Sequence, residues 1–169
     1  MGIARAIVTE PKFIVLDEPT SALDVSVRAQ ILDLLLELQR KQRFSYLFIS
    51  HDLTTVQYSC GHIAVMYLGR IVEYGPTAHV FADPRHPYTK ALMSAMLVPD
   101  VDHVRAPLPL PGEPPSAITI PPGCAFAPRC PLANHECLST VPPLRSMGDR
   151  HRAACIRAEE IGQLRRNHW

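Results

Sequence analysis

The sequence predicts an α/β fold with a parallel sheet, followed by an irregular region rich in proline and cysteine. Two apolar runs, residues 13–16 and 46–50, have the length and composition of buried strands, and an amphipathic segment, 25–43, lies between them. Strand, helix and strand in this order form a βαβ unit, whose strands run parallel. Because parallel strands end at one edge of a sheet, we expect the residues after the two runs to lie close together.

The first run ends in two carboxylates, Asp17 and Glu18. Its apolar residues do not alternate with polar ones, which predicts a strand buried on both faces. Acidic residues belong at the carboxyl end of such a strand, where open α/β sheets bind ligands. There Asp17 can hold Mg²⁺ through oxygen, and Glu18 can orient or deprotonate a water. Taken alone, two acids after a strand are more often a solvated turn.

The segment 25–43 has helical periodicity. Its apolar residues fall at helical spacing on one face; they are Val27, Ile31, Leu34, Leu35 and Leu38. Asp24 is a suitable N-cap for this helix. A shorter helix, Gly2–Val8, is expected before the first strand, since Pro11 stops a helix there.

Two motifs together carry a family resemblance. The string Leu-Asp-Glu-Pro-Thr-Ser-Ala-Leu-Asp, residues 16–24, is followed by a strand that ends in Ser-His-Asp, residues 50–52. This pattern resembles the catalytic half of an ATP-binding-cassette (ABC) transporter ATPase. The resemblance implies a partial P-loop NTPase fold with ATP and Mg²⁺ as cofactors, and it makes the first strand the Walker B strand. It assigns Asp17 to Mg²⁺, Glu18 to the attacking water, His51 to the γ-phosphate, and Ser21 and Asp24 to a loop at the dimer interface.

Two other motifs of that family are missing from residues 1–169. There is no Gly-x-x-x-x-Gly-Lys-Ser/Thr phosphate loop and no Leu-Ser-Gly-Gly-Gln signature. Either Met1 is an internal methionine of a longer protein, or the product is truncated. We therefore expect this chain alone not to hydrolyse ATP. The alternative function is a non-catalytic, metal-binding or scaffold remnant of such an ATPase.

The rest of the chain divides by composition. A β-hairpin is predicted over 63–74 and helices over 77–81 and 88–97. Residues 99–123 contain eight of the 17 prolines, which favours an extended linker. The segment His86–Leu92 resembles the one that leads into the C-terminal extension of oligopeptide and dipeptide importers. The predicted domains are thus 1–75, the later part of the nucleotide-binding domain; 76–98, a helical connection; and 99–169, the extension.

Four of the five cysteines lie in the extension, at Cys124, Cys130, Cys137 and Cys155. A reducing compartment disfavours disulfides and favours metal, although the paired C-x2–4-C spacing of zinc sites is absent. The extension resembles that of peptide importers, in some of which it is associated with a [4Fe-4S] cluster. We expect these four residues to ligate such a cluster, with Cys155 on a helix over 153–164. Zinc and unligated thiols remain alternatives.

Composition narrows the partners and the location. The net charge of +1 argues against nucleic acid as a partner, and no apolar stretch is long enough for a membrane span. The family resemblance implies transmembrane permease subunits, a second ATPase subunit and, indirectly, a peptide-binding protein. We therefore expect the chain at the cytoplasmic face of the cell membrane, as a peripheral subunit that energises peptide import.

Overall fold

The computed structural model describes residues 2–96, 110–113, 115–116 and 118–163. By its contacts the chain divides into two compact units, Met1–Cys60 and a second that starts at Gly61. The predicted boundaries after residues 75 and 98 concern the domains of the family and stay a prediction. No helix among the described residues is both long enough and apolar enough to cross a bilayer.

The first unit is a βαβ unit with a helix on either side of it in sequence. Its elements are α1 (Gly2–Val8), β1 (Phe13–Asp17), α2 (Val25–Gln42), β2 (Ser45–Ile49) and α3 (Leu53–Ser59). The two strands pair in parallel, with Phe13 opposite Ser45 and Asp17 opposite Ile49. The predicted α/β class with a parallel sheet is confirmed.

Only one face of β1 is buried, so the prediction of burial on both faces was wrong for the described residues. Ile14 and Leu16 are buried with Leu35 and Phe44, whereas the side chains that alternate with them are exposed. The residues packed against this cluster come largely from α1 and α2, which cover a single side of the two-stranded sheet. The exposed apolar side chains on the strands are Phe13, Val15, Leu47 and Ile49.

Helix α2 is amphipathic, but its buried face differs from the predicted one. Leu32 and Leu35 are buried, whereas Val27 and Leu34 of the predicted face are exposed. The buried stripe follows i, i+3 spacing from Leu32 to Leu35 and on to Leu38, so Leu34 falls beside it. The helix ends at Arg43, which adopts a left-handed conformation and donates its backbone N–H to the Gln39 carbonyl.

The second unit contains a four-stranded antiparallel sheet in the order β3-β4-β6-β5. Its strands are β3 (His62–Tyr67), β4 (Arg70–Pro76), β5 (Arg145–Gly148) and β6 (His151–Ala153). Its helices are α4 (Thr77–Ala82), α5 (Pro87–Ser94), a 3₁₀ turn (Ala127–Arg129), α6 (His135–Ser139) and α7 (Ala158–Gln163). Strands β3 and β4 form the predicted hairpin, and Leu68 and Gly69 at its turn both have positive φ.

The cysteine-containing region folds onto the hairpin, because β6 pairs with β4. It also has a small buried cluster, Ala153, Cys155, Ala158 and Ile161. The predicted helix over 153–164 was wrong at its start, since 151–153 form a strand and Cys155 lies in the loop before α7. Residue 164 lies outside the described residues, as does much of the predicted proline-rich linker.

A fully buried carboxylate, Glu73 on β4, joins three segments of the second unit. Its Oε1 accepts a hydrogen bond from the Arg85 N–H at 2.7 Å, and its Oε2 accepts one from the His86 N–H at 2.9 Å. His151 Nε2, on β6, lies 2.7 Å from Oε1. A buried carboxylate is tolerated only when its oxygens are satisfied in this way. Glu73 therefore fixes both the start of α5 and strand β6 against the hairpin.

Replacing Glu73 with Gln is expected to lower the free energy of unfolding of this unit by about 3 kcal/mol. The amide has nearly the same shape, but its NH₂ group faces a hydrogen-bond donor where the carboxylate presented an acceptor. Urea unfolding of the whole chain measures the change. Glu136→Gln, at an exposed acid of the same unit, is the matched control and should change stability little; equal stabilities for the two variants would contradict the role given to Glu73.

Candidate functional site

The parallel pairing of β1 with β2 brings Glu18 and His51 together. The Glu18 N–H donates to the Ile49 carbonyl at 2.9 Å and so continues the ladder past Asp17. The next contacts join side chains: Glu18 Oε1 lies 2.7 Å from His51 Nδ1 and accepts the His51 backbone N–H at 3.2 Å. Asp17 ends β1 and is exposed beside this pair in sequence.

The backbone at Glu18 is held in an unusual conformation, with φ at +47°. A non-glycine residue in this region carries a conformational cost, which neighbouring contacts must offset. The Glu18 carbonyl accepts the Ser21 hydroxyl at 3.0 Å and the Ser21 N–H at 3.3 Å. Ser21 therefore helps to fix the turn that aims the Glu18 carboxylate at His51.

Asp24 has a structural role as the N-cap of α2. Its Oδ1 accepts the Val27 N–H at 2.9 Å and the Ser26 hydroxyl at 2.8 Å, as the sequence predicted for an N-cap. These hydrogen bonds, that from Val27 first, hold the pKa of Asp24 below its ordinary value. Asp24 is exposed, as is Ser21.

An ion pair that sequence analysis missed braces the two loops of this site. Arg28 Nη1 donates to Asp52 Oδ2 at 2.9 Å, and Arg28 Nη2 donates to the Leu23 carbonyl at 3.2 Å. Asp52 also caps α3 by accepting the Thr54 and Thr55 N–H groups. Burial raises the pKa of Asp52, but the hydrogen bonds from Thr55 and Thr54 and the charge of Arg28 outweigh it, and the net pKa is lowered.

In the second unit, the four cysteines of the extension line one cavity. The cavity is partly open to solvent. Cys124 and Cys130 flank the 3₁₀ turn, Cys137 lies on α6 and Cys155 lies in the loop before α7. The structure therefore brings all four predicted ligands to one place.

Backbone N–H groups point at three of these sulfurs. Cys124 accepts from Phe126 and Ala127, Cys130 from Leu132, and Cys155 from Arg157, and these bonds favour the thiolate forms. Burial acts in the opposite direction and prevails. It raises the pKa of Cys124, that of Cys130 to about 11 and that of Cys155 to about 12, and neighbouring cysteines raise these three pKa values further. Four thiolates in this cavity therefore need a positive group between them.

A close backbone approach holds two of the cysteine segments together. The Cys124 N–H donates to the Cys137 carbonyl at 2.8 Å. Gly123 makes this contact possible, since a Cβ at that position would lie 2.4 Å from the Cys137 carbonyl oxygen and 2.6 Å from that of Leu138. Glycine is thus required here for lack of space rather than for a special φ.

The four cysteines of the cavity offer thiolates, which are the ligands of iron–sulfur clusters. In the described part of the chain, no group of three or more His, Cys, Asp or Glu side chains could hold a metal ion. The donors therefore match such a cluster in chemistry, but their arrangement is not that of a metal-ion site.

Comparisons with known proteins agree on one family. A family model described as "Oligopeptide/dipeptide transporter, C-terminal region" matches residues 72–137. The chain is 53% identical over 155 residues to a probable peptide ABC transporter ATP-binding protein of Sinorhizobium fredii, covering 92% of this chain and 44% of that protein. It is 48% identical over 164 residues to the oligopeptide transport ATP-binding protein OppF of Salmonella typhimurium, covering 95% and 48%.

Solved structures give shorter matches. CbiO1 of Clostridium perfringens, part of an ABC transporter complex, is 38% identical with a TM-score of 0.45, covering 47% of this chain and 32% of that one.

Over most of its length the chain is similar to proteins named as ATP-binding proteins of ABC transporters. Within that class it belongs to the oligopeptide/dipeptide transporter family. The chain spans about half the length of the curated relatives it matches.

The Asp52–Arg28 pair predicts a pH-dependent stability of α3. Because the folded pKa of Asp52 is lowered, its stabilising effect is present above the unfolded pKa, near 4, and is lost as pH falls through the folded value. Asp52→Asn keeps a good N-cap but loses the ion pair, which is worth about 1 kcal/mol.

Amide hydrogen exchange of α3 residues in wild type and Asp52→Asn measures this effect. The difference in opening free energy should be largest at neutral pH and shrink towards zero below the folded pKa of Asp52. A difference that stays constant with pH would show that the Asp52 charge contributes nothing. Asp149→Asn, at an exposed acid of the second unit, is the control.

Proposed function

We propose that this chain is the catalytic region of an ATP-hydrolysing subunit that energises the import of dipeptides or oligopeptides. The observation that carries the proposal is the contact between Glu18 and His51, 2.7 Å apart, at the edge where β1 and β2 end. The family membership supports the same conclusion. Residues 1–75 are then the later part of the nucleotide-binding domain, 76–98 a connection and 99–169 the extension.

Glu18 positions the attacking water. Its Oε1 is held by His51, and within the described residues its Oε2 accepts no hydrogen bond from the protein. That oxygen is free to accept a proton from a water aligned with the γ-phosphorus. Ser21 anchors the Glu18 carbonyl and so links the position of the Glu18 carboxylate to the loop that contains Ser21 and Asp24. We assign this loop to the dimer interface.

His51 and Asp17 hold the nucleotide. The His51 side chain is 80% exposed and so can reach a phosphate. Contact through Nε2–H requires either that His51 leaves Glu18 or that its ring carries both protons, since a neutral ring that donates from Nδ1 has an acceptor at Nε2. Asp17 offers an exposed oxygen ligand suited to Mg²⁺, and the role of β1 is that of the Walker B strand. Bound Mg²⁺ neutralises developing charge on the phosphate oxygens.

The remaining parts of the proposal concern assembly. The subunit contacts transmembrane permease subunits and pairs with a second ATPase subunit at the cytoplasmic face of the membrane. A peptide-binding protein is an indirect partner. Nucleic acid has no part in it. A non-catalytic scaffold is not favoured, because the relatives that match most of the chain are named as ATP-binding transport proteins.

In the complete ATP-binding subunit, Glu18→Gln and His51→Ala are each expected to lower ATP turnover at least about 100-fold, the scale of a positioned base. Glu18→Gln removes basicity with little change of shape, so ATP binding should survive. Phosphate release and nucleotide binding are measured on the same preparations. Glu37→Gln, at an exposed residue of α2, is the control, and turnover like that of wild type in either test variant would refute the assigned role.

The proposal includes a [4Fe-4S] cluster ligated by Cys124, Cys130, Cys137 and Cys155. The fit rests on the shared cavity, on the N–H groups directed at three sulfurs and on the mutual repulsion that a cationic group would relieve. A bound cluster would supply covalent links among the loops that carry the four residues. The chain contributes the N–H donors that stabilise the thiolates.

Anaerobically purified protein is expected to be brown, to absorb broadly at about 400 nm and to contain about four irons per chain. Serine at any of the four cysteines should lower the iron content, because a ligand is lost. Serine at Cys60, which is not in the cavity, should leave it unchanged. A colourless preparation with one bound zinc would establish the zinc alternative, and a metal-free one would leave four ordinary thiols.

A further inference from the structure

One side chain with a permanent charge lines the cysteine cavity. Among its described lining residues, only Arg157 and His86 are basic. Burial lowers the pKa of His86 to about 3, and so this ring is neutral at physiological pH. Arg157 is therefore the charged side chain in the described lining of the cavity, while Arg70, outside that lining, also lowers the pKa of Cys124.

Arg157 also joins the two loops that carry Cys130 and Cys155. Its Nη1 donates to the Leu132 carbonyl at 2.7 Å, while the Leu132 N–H is directed at the Cys130 sulfur. The Arg157 backbone N–H is directed at the Cys155 sulfur. Arg157 thus contacts Cys155 through its backbone and the segment that carries Cys130 through its guanidinium.

The contact of Arg157 with Glu160 does not account for this arrangement. Arg157 Nε donates to Glu160 Oε2 at 2.8 Å and Nη2 donates to the same oxygen, in an i, i+3 pair at the start of α7. Such exposed pairs contribute little to stability. The bond to Leu132 instead spans 25 residues of sequence and directs the guanidinium over the cysteine loops.

We propose that Arg157 is a positioning residue of the cysteine site: it ties the Cys130 and Cys155 loops together and places a positive charge beside the bound cluster. This inference rests on the proposed cluster. Four thiolates make a ligated cubane anionic, and a neighbouring cation stabilises it, the more so when it gains an electron. Arg157 thus acts on the cluster through its charge and on the ligands through its hydrogen bonds.

Two substitutions separate these effects. Arg157→Lys keeps the charge but loses the planar array of donors. Arg157→Gln loses the charge but keeps an amide that can donate to the Leu132 carbonyl. Arg152→Gln, at an exposed arginine of β6 outside the cavity lining, is the matched control.

The experiment uses the anaerobically purified chain. It records the iron content per chain, the rate at which a chelator removes the absorbance at about 400 nm, and the midpoint potential in a dithionite titration. Removal of a supporting partner of a ligand typically costs 10–100-fold in metal affinity, so Arg157→Gln should lose the cluster at least about tenfold faster. The equilibrium constant for one-electron reduction should fall about tenfold, or 59 mV. Arg157→Lys should restore the potential and only part of the retention.

Each other outcome has a distinct meaning. If Arg157→Gln retains the cluster and has the potential of wild type, while Cys155→Ser loses iron, the role of Arg157 is overturned and the cluster itself stands. A wild-type chain without iron would overturn the cluster and this inference together. If both variants lose the cluster faster with an unchanged potential, and also lose far-ultraviolet circular dichroism, then Arg157 is a purely structural residue and the inference is overturned.

Discussion

The second unit depends on one buried carboxylate. Glu73 receives hydrogen bonds from the backbone of Arg85 and His86 and contacts the ring of His151, so the hairpin, the start of α5 and strand β6 converge on two oxygen atoms. Apolar packing alone is non-directional and would tolerate a shift of these segments. A fully buried carboxylate does not tolerate such a shift, because each lost hydrogen bond leaves a buried charge unsatisfied. The cavity of the cysteines is built on strands and loops that this group fixes.

The two units use hydrogen bonds in a similar way at their candidate sites. At the edge of the parallel sheet, the backbone at Glu18 is held in a left-handed conformation by Ile49 and Ser21, which directs its side chain to His51. Around the cysteines, backbone N–H groups of the following residues are directed at the sulfurs. In each case backbone hydrogen bonds help to aim the reactive group.

Local patterns in the sequence predicted the local elements. The apolar run at 13–16, the cap at Asp24 and the Leu68-Gly69 turn each depend on neighbours in sequence, and each appears where expected. The errors concern long-range contacts. The exposure of Phe13 and Val15 depends on what covers the sheet, and the burial of Leu32 rather than Leu34 depends on which side of α2 faces its neighbours.

The sequence also did not predict the contacts that organise the second unit or those that brace the first. Glu73 follows Ile71-Val72 in β4, and nothing near it in sequence indicates a partner 78 residues away. Arg28 looks like a surface residue of α2 until the fold brings Asp52 to it. The four cysteines could be grouped by composition, but the N–H groups that face them follow from turns that no propensity specified.

The sequence separation of Glu73 and His151 has a consequence for synthesis of the protein on the ribosome. Arg85 and His86 emerge soon after Glu73 and can satisfy its carboxylate early, whereas His151 follows 78 residues later. At about 5–20 residues per second, roughly 4–16 s pass between the two. During that interval the hairpin edge at β4 has no β6 to pair with, and an unpaired edge is open to other chains. The edge of β4 is therefore protected only once the last part of the described chain has been made.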